Sequence, residues 1–96
     1  GRITASASEV LAAAYPVPVV DDIMLRLLLS KPVERLEVTL LNVDGRPLYS
    51  QELRGLTAGK NERKLNVNAR GLLPGVYFIR VSGWKDGTFK MIKVVK

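Results

Sequence analysis

The C-terminal stretch, residues 71–96, constrains the fold more than any other part of the chain, because its pattern predicts two strands joined by a loop. The pair Pro74-Gly75 predicts a turn, since proline presets φ at about −65° and glycine accepts the positive φ that other residues resist. The residues that follow are β-branched or aromatic, which favours a strand that starts at Gly75. Alternation along this strand places three side chains on one face: Tyr77, Ile79 and Val81.

A second strand follows after a loop bounded by glycines. Asp86-Gly87 supplies the residues that a tight reversal needs, and residues 89–95 then return as a strand. Lys96 follows directly, so we expect it at the end of a sheet, exposed to a partner. The single tryptophan, Trp84, falls in the loop and is either a lid over the open end of the fold or an exposed anchor for a partner.

Four upstream segments also carry strand patterns: residues 23–29, 34–43, 46–53 and 62–68. The alternation breaks at Leu40-Leu41, which favours a β-bulge, and Pro47 favours an edge strand because it has no amide to donate. We expect a polar connection over residues 54–61. About six or seven short strands with regular turn signals predict an all-β, immunoglobulin-like two-sheet β-sandwich. The inward side chains would include Ile23, Leu25, Leu27, Leu29, Leu36, Val38, Leu40, Leu65 and Val67.

The residue inventory argues against catalysis. The chain has no histidine and no cysteine, so Ser-His and Cys-His nucleophile pairs are impossible, and disulfides are absent. Its glycines stand singly at turns, and its glutamates are spread along outward strand positions. Asp21-Asp22 is the one paired acid, but adjacent extended residues face opposite sides, which argues against a metal site. The sequence predicts a domain that is not an enzyme and needs no cofactor or metal.

The chain is basic, with a net charge of +6. This charge could attract nucleic acid, anionic lipid or an acidic protein, or it could simply keep strand edges soluble and unpaired. Tyr77 and Phe78 face opposite sides of their strand, so no stacking platform for bases is expected, and we predict no nucleic-acid partner. No apolar run reaches the roughly 18–20 residues that span a bilayer, so no membrane insertion is expected. An export signal would belong to a longer precursor.

Residues 1–14 are rich in alanine and serine and show no strand alternation, which is typical of a linker. Ser6 and Glu9 match a capping box, so a short helix is one alternative. An extended or frayed segment is the other, since Pro16 would end a helix within about nine residues. We place the folded domain at residues 15–96.

Three sequence blocks together resemble the type IX secretion C-terminal sorting domain, type A. The first is GLLPGVYFIRV at residues 71–81 with KMIKVVK at residues 90–96. The second is YPVPV at residues 15–19 with Asp22, and the third is NVDGR at residues 42–46. The blocks occur in the family's order over residues 15–96, although Val17 stands where the family usually has asparagine.

The resemblance implies a secretion signal of a Gram-negative bacterium that passes through the periplasm to the cell surface or the medium. Its partners would be an outer-membrane translocon and a sortase-like protease, which cuts in residues 1–14 and anchors the cargo. Contact would involve the last strand: Lys93, Val94, Val95 and Lys96. The other motif matches would act through the fold: Tyr15, Pro16, Pro18, Asp22, Gly45, Gly75 and Tyr77.

Two alternatives stay open at this point. The chain could instead be an immunoglobulin-like or fibronectin-like module that binds protein or carbohydrate. It could also form a homodimer by exchange of a strand or of the linker.

Overall fold

The computed structural model describes residues 11–15 and 21–96, which form seven strands and one turn of 3₁₀ helix. The 3₁₀ turn, Ala69–Gly71, lies between the fifth and sixth strands. The strands are β1 (Leu11–Tyr15), β2 (Ile23–Leu29), β3 (Val33–Asn42), β4 (Pro47–Leu56), β5 (Gly59–Leu65), β6 (Val76–Ser82) and β7 (Phe89–Val95).

The strands form two antiparallel sheets, one in the order β1-β2-β5 and the other in the order β4-β3-β6-β7. Constant-type immunoglobulin domains place their first, second, fourth and fifth strands in one sheet. Here the fourth strand pairs with the third instead, which leaves β4 at a sheet edge, as Pro47 predicted. The prediction of an all-β, immunoglobulin-like two-sheet sandwich is confirmed.

The core lies between the sheets and is built by period-two alternation. Every second residue of β2 is buried, and β3 and β6 contribute the same pattern from the facing sheet. Each fully buried leucine or isoleucine stabilises the fold by about 1.5–3 kcal/mol. The inward predictions are confirmed for these residues: Ile23, Leu25, Leu27, Leu29, Leu36, Val38, Leu40 and Leu65. Val67 is the exception, since it lies beyond the end of β5 and is only partly buried.

The β4–β5 connection is much shorter than the sequence predicts. Only Thr57 and Ala58 separate the two strands, so most of residues 54–61 is strand. Asn61, which is buried, makes this possible. Its Nδ2 donates to the carbonyl oxygens of Thr57 (2.7 Å) and Gly59 (3.2 Å), and its Oδ1 accepts from the Thr57 amide (2.9 Å). One side chain thus satisfies the backbone groups of the crossing between sheets.

The register shift predicted at Leu40-Leu41 is confirmed, but the extra residue lies on β4 and not on β3. The register between β3 and β4 shifts at Leu40/Leu41, since Leu40 lies opposite Tyr49 but Leu41 lies opposite Pro47. Leu48 is the extra residue, and its side chain is exposed. The bulge lets β4 start beyond the turn while the buried alternation of β3 stays in register.

A strand precedes the predicted start of the domain, because β1 pairs with β2 over Leu11–Tyr15. Residues 11–14 of the predicted linker are therefore strand. Three successive alanines gave no alternation to indicate this; pairing with β2, and not intrinsic propensity, decides the conformation. The capping-box residues and the two predicted motif prolines, Pro16 and Pro18, lie outside the described residues.

Candidate functional site

The hairpin of β6 and β7 carries the predicted contact residues and lies at a sheet edge. Within the described part of the chain, β7 has a ladder only with β6, so its other edge keeps backbone amide and carbonyl groups for a further strand. β1 of the other sheet lies next to β7 without forming a ladder with it. The geometry offers a strand edge that a partner could extend.

The ends of the hairpin are held together by a backbone pair. The Gly75 amide donates to the Lys96 carbonyl oxygen (3.1 Å), and the Lys96 amide donates to the Gly75 carbonyl oxygen (2.9 Å). Gly75 has a φ of 153°, which residues with a side chain rarely adopt. Gly75 therefore extends the ladder by one pair beyond Val95.

The Lys96 side chain folds back onto the 3₁₀ turn. Its Nζ donates to the carbonyl oxygens of Arg70 (3.1 Å) and Leu72 (2.6 Å) and also to that of Ala69. The Ala69 carbonyl oxygen also accepts from the Leu72 amide (3.1 Å), whereas carbonyls at the end of a helical turn otherwise lack helical partners and can be satisfied by a lysine ammonium. Lys96 therefore lies at the sheet end with its ammonium group bound within the domain, and its contact with a partner stays a prediction.

The other predicted contact residues divide between the two faces of β7. Val94 is 2% exposed and belongs to the core, whereas Lys93 and Val95 face outward. Alternation along the strand requires this division. Of the four terminal residues, Lys93 and Val95 are the two with mainly exposed side chains.

Tyr77 connects the start of β6 to the loop before it. Its hydroxyl donates a 2.6 Å hydrogen bond to the Leu73 carbonyl oxygen, and its ring is buried. Immunoglobulin-like domains use such a tyrosine corner at the same place in the fold. The contact gives Tyr77 a structural role.

Gly45 completes the turn between β3 and β4. Its φ of 85° lies in the left-handed region that favours glycine, and its amide donates to the Asn42 carbonyl oxygen (2.9 Å). The Asn42 side chain organises the same turn, because its Oδ1 accepts from the amides of Asp44 and Arg46 (both 2.9 Å). The sequence analysis did not predict this role of Asn42, although an asparagine two residues before a turn amide is the signal of an Asx turn.

The predicted residues near the N-terminal end of the fold lie in two places. Tyr15 donates to Glu62 Oε2 (2.8 Å), and Arg26 Nη2 binds the same oxygen (2.8 Å), on the outer face of the first sheet. Asp22 lies 3.8 Å from Lys64 Nζ, with both side chains 60% exposed, which is a weak contact. Tyr15, Asp22 and Gly45 have different partners, and no described hydrogen bond or salt bridge joins one of them to another.

Asp21, and not the predicted motif residue Asp22, is the acid that contacts the 3₁₀ turn next to the C-terminal residue. Its two carboxylate oxygens accept from Nε and Nη2 of Arg70 (2.5 and 3.2 Å), and its carbonyl oxygen accepts from the Ala69 amide (3.2 Å). The same 3₁₀ turn binds Lys96. We call these residues the terminal junction: Asp21, Ala69–Leu72, Gly75 and Lys96. It ties the segment just before β2 to the last strand.

A family model described as the secretion system C-terminal sorting domain matches residues 13–96. The chain belongs to this family. It is a C-terminal sorting signal of the type IX secretion system, which directs export toward the outer membrane and the cell surface or secretion. The alternative of an immunoglobulin-like binding module is not favoured. Searches of curated proteins and of solved structures found no match.

The family to which the chain belongs is defined by a sorting role and not by a catalytic one. Across residues 11–15 and 21–96, no cluster of three or more acidic, histidine or cysteine side chains is placed to hold a metal ion. In the same part of the chain, no helix is both long and apolar enough to cross a membrane.

Trp84 lies at the opposite end of the sandwich from the terminal junction. It is half-buried and packs against the core, which favours the lid interpretation over the exposed anchor. An open cleft beside it is lined by the β2–β3 turn, the end of β4 and the β6–β7 loop. The sorting domain thus covers this end of its core with one aromatic ring.

Loss of the Tyr77 hydroxyl is expected to destabilise the sorting domain. Tyr77→Phe removes the hydroxyl that binds the Leu73 carbonyl oxygen and keeps the ring in the core. We expect the free energy of unfolding to fall by about 1–2 kcal/mol, because a half-buried hydrogen bond is lost without a cavity. Urea denaturation followed by tryptophan fluorescence measures this, and the m-value should not change. A fall below about 0.3 kcal/mol would contradict the assigned role.

Two exposed carboxylates predict how stability depends on pH. The hydroxyl of Tyr15, with the Arg26 guanidinium, holds the pKa of Glu62 below its ordinary value of 4.5. The Arg70 side chain holds the pKa of Asp21 below its ordinary value of 3.8. Because both pKa values are lower in the folded state, the unfolded chain binds more protons at acid pH. Their contribution is present above the unfolded values and is lost as pH falls through the folded ones.

We therefore expect the melting temperature of the sorting domain to stay constant from about pH 8 to pH 5 and to fall below about pH 4.5. The chain has no histidine that could titrate in the neutral range. Thermal melts of the wild type and of the Asp21→Asn, Glu62→Gln double variant measure this. The double variant should lose less stability between pH 5 and pH 3, and an equal fall in both proteins would contradict the prediction.

Proposed function

We propose that the outer-membrane translocon binds the folded sandwich at the edge of β7, that the attached cargo crosses with it, and that a sortase-like protease then cuts ahead of β1. The observation that carries the proposal is the division within the last strand. Lys96 and Val94 are tied into the domain, whereas the β7 edge and the Lys93 ammonium stay available. An edge strand binds a partner through its backbone, and its charges select the partner.

The cleavage region in this proposal is shorter than the predicted linker. A protease cleft binds an extended chain with free backbone groups, and residues 11–15 are already paired with β2. We propose that the cut falls within residues 1–10 and that the freed cargo is joined to an anionic lipopolysaccharide. Passage through the periplasm precedes these steps, and the cargo, which could be an enzyme, lies ahead of this domain.

A pair of charge reversals tests recognition at β7. The chain is fused to a reporter in a bacterium that has a type IX system, and surface reporter is measured for Lys93→Glu and Lys60→Glu. Both lysines are exposed on edge strands, but Lys60 lies on β5 in the other sheet. We expect Lys93→Glu to reduce export severalfold and Lys60→Glu to leave it unchanged, with wild-type melting temperatures for both. Equal export by the two folded variants would contradict recognition at β7.

The same fusion tests the cleavage proposal. Mass spectrometry of the released reporter gives its new C-terminal residue. A cut within residues 1–10 is expected, and a cut within β1 would contradict the proposal.

A further inference from the structure

Outward side chains of β6 and β7 form an apolar and basic surface beside the free edge. Phe89 is 49% exposed, Met91 48% and Val95 37%, and alternation places all three on the outer face of one strand. Other large exposed apolar residues, such as Leu48 on β4, lie elsewhere. Three such residues in a row mark an interaction surface more than single exposed ones do.

Two cations of the hairpin accompany this row, Lys93 within it on β7 and Arg80 beside it on β6. Arg80 pairs in register with Met91, and its guanidinium lies 4.8 Å from the centre of the Phe89 ring. Lys93 pairs with Phe78. We call these six residues the outer hairpin face: Phe78, Arg80, Phe89, Met91, Lys93 and Val95.

The charge of the outer hairpin face is not neutralised within the described part of the chain. Neither Arg80 nor Lys93 forms a salt bridge with a carboxylate of residues 11–15 or 21–96. The β3–β4 half of the same sheet differs, because Glu52 binds both Arg35 (3.3 Å) and Arg54 (2.8 Å). The uncompensated positive charge of this sheet face is therefore concentrated beside the apolar row and the free edge.

We propose that the outer hairpin face and the β7 edge together bind an extended acidic segment of another protein, which adds a strand beside β7. Its backbone pairs with the free edge, its apolar side chains lie beside Phe89 and Met91, and its carboxylates approach Arg80 and Lys93. Cross-strand pairs of opposite charge and of apolar side chains stabilise such an added strand. This inference rests on the proposed function in one respect, which is that the partner protein with the acidic segment belongs to the export machinery.

Charge disfavours a second copy of this chain as the occupant. Residues 76–96 contain five basic residues and one acidic residue, and three of the basic residues, Lys90, Lys93 and Lys96, stand on or next to β7. Pairing two β7 strands would bring like charges together, which is how edge lysines prevent self-association. An anionic membrane would match the charge but would leave the backbone edge unpaired, so a protein segment fits both features.

Binding of a synthetic peptide tests the proposal on the 96-residue chain. The probe is an eight-residue peptide with the repeat Val-Thr-Glu-Thr, which places valine and glutamate in turn on one face of an added strand, and the matched control replaces glutamate by lysine. Heteronuclear NMR titration should give shifts on β6 and β7 with the acidic peptide, none with the basic one, and weaker binding as salt rises. Met91→Ser and Lys93→Glu should each weaken binding about tenfold, whereas Leu48→Ser and Lys60→Glu should not change it.

The outcomes separate this inference from the proposed function. If the wild type does not bind the acidic peptide but Lys93→Glu still blocks export, the proposed function is supported and the binding of an acidic strand is contradicted. If the peptide binds as predicted but Lys93→Glu is exported normally, the binding of an acidic strand is supported and recognition by the translocon at β7 is contradicted. Binding to phosphatidylglycerol vesicles without peptide binding, or a wild-type dimer that buries β7, would also overturn the inference.

Discussion

Removal of residues 93–96 is expected to lower the free energy of unfolding of the sorting domain by about 3–6 kcal/mol, which is a large part of its net stability. The deletion takes Val94 out of the core, removes the Gly75–Lys96 backbone pair and frees the carbonyls that Lys96 binds. The buried valine contributes about 1.5–3 kcal/mol, and the charge-assisted hydrogen bonds of Lys96 contribute about the same. A domain of this size has only about 5–15 kcal/mol of net stability. Circular dichroism melts of the intact and shortened chains measure the loss.

Two full-length variants show which part of the deletion matters. Lys93→Gln keeps the core and the terminal junction, so its melting temperature should match that of the wild type. Lys96→Met keeps the length of the side chain but removes the ammonium, and should destabilise the domain measurably. A shortened chain that melts cooperatively at the wild-type temperature would contradict the role given to the terminal junction. Loss of export on truncation would report loss of fold, so single substitutions are the appropriate test of recognition.

Ile79→Ala is expected to lower the free energy of unfolding by about 2–5 kcal/mol. Ile79 is fully buried in β6 and lies between Leu40 of β3 and Ile92 of β7 in the sheet. Removing three carbon atoms there leaves a cavity between two sheets that pack at fixed spacing, so the neighbours can relax only in part. Equilibrium urea denaturation gives the value directly.

Met91→Ala, in the neighbouring strand, is the matched control. Its side chain is about half exposed on the outer hairpin face, so truncation should change the free energy of unfolding by no more than about 0.5 kcal/mol. Similar losses for the two variants would contradict the inward and outward assignment of the hairpin residues.

The core could be predicted from sequence because burial on one face imposes a period of two. Ile23 to Leu29 in β2 and Tyr77 to Val81 in β6 show this period without interruption, and both were placed correctly. The register shift at Leu40-Leu41 could also be predicted, since two adjacent leucines cannot both face the core of a regular strand, but the sequence did not indicate that the extra residue lies on β4.

Other features depend on tertiary contacts that no local pattern encodes. β1 is a run of alanines whose conformation is set by β2, and the short β4–β5 crossing depends on the side chain of Asn61. The Arg70–Asp21 contact joins residues 49 positions apart, and the Lys96–Ala69 contact joins residues 27 positions apart. Sequence spacing gave no reason to prefer Asp21 over Asp22 as the partner of Arg70. It also gave no reason to expect that the Lys96 ammonium binds within the domain.

The position of β1 has a mechanical consequence. β1 pairs only with β2 within the described residues, and it lies next to β7 at the open side of the sandwich. If a cargo attached ahead of β1 is pulled while β7 is held, the load falls first on the β1–β2 ladder, which has five residue pairs from Leu11↔Leu28 to Tyr15↔Met24. Tension on the cargo would therefore peel the first strand away before it strained the hairpin at the other end of the chain.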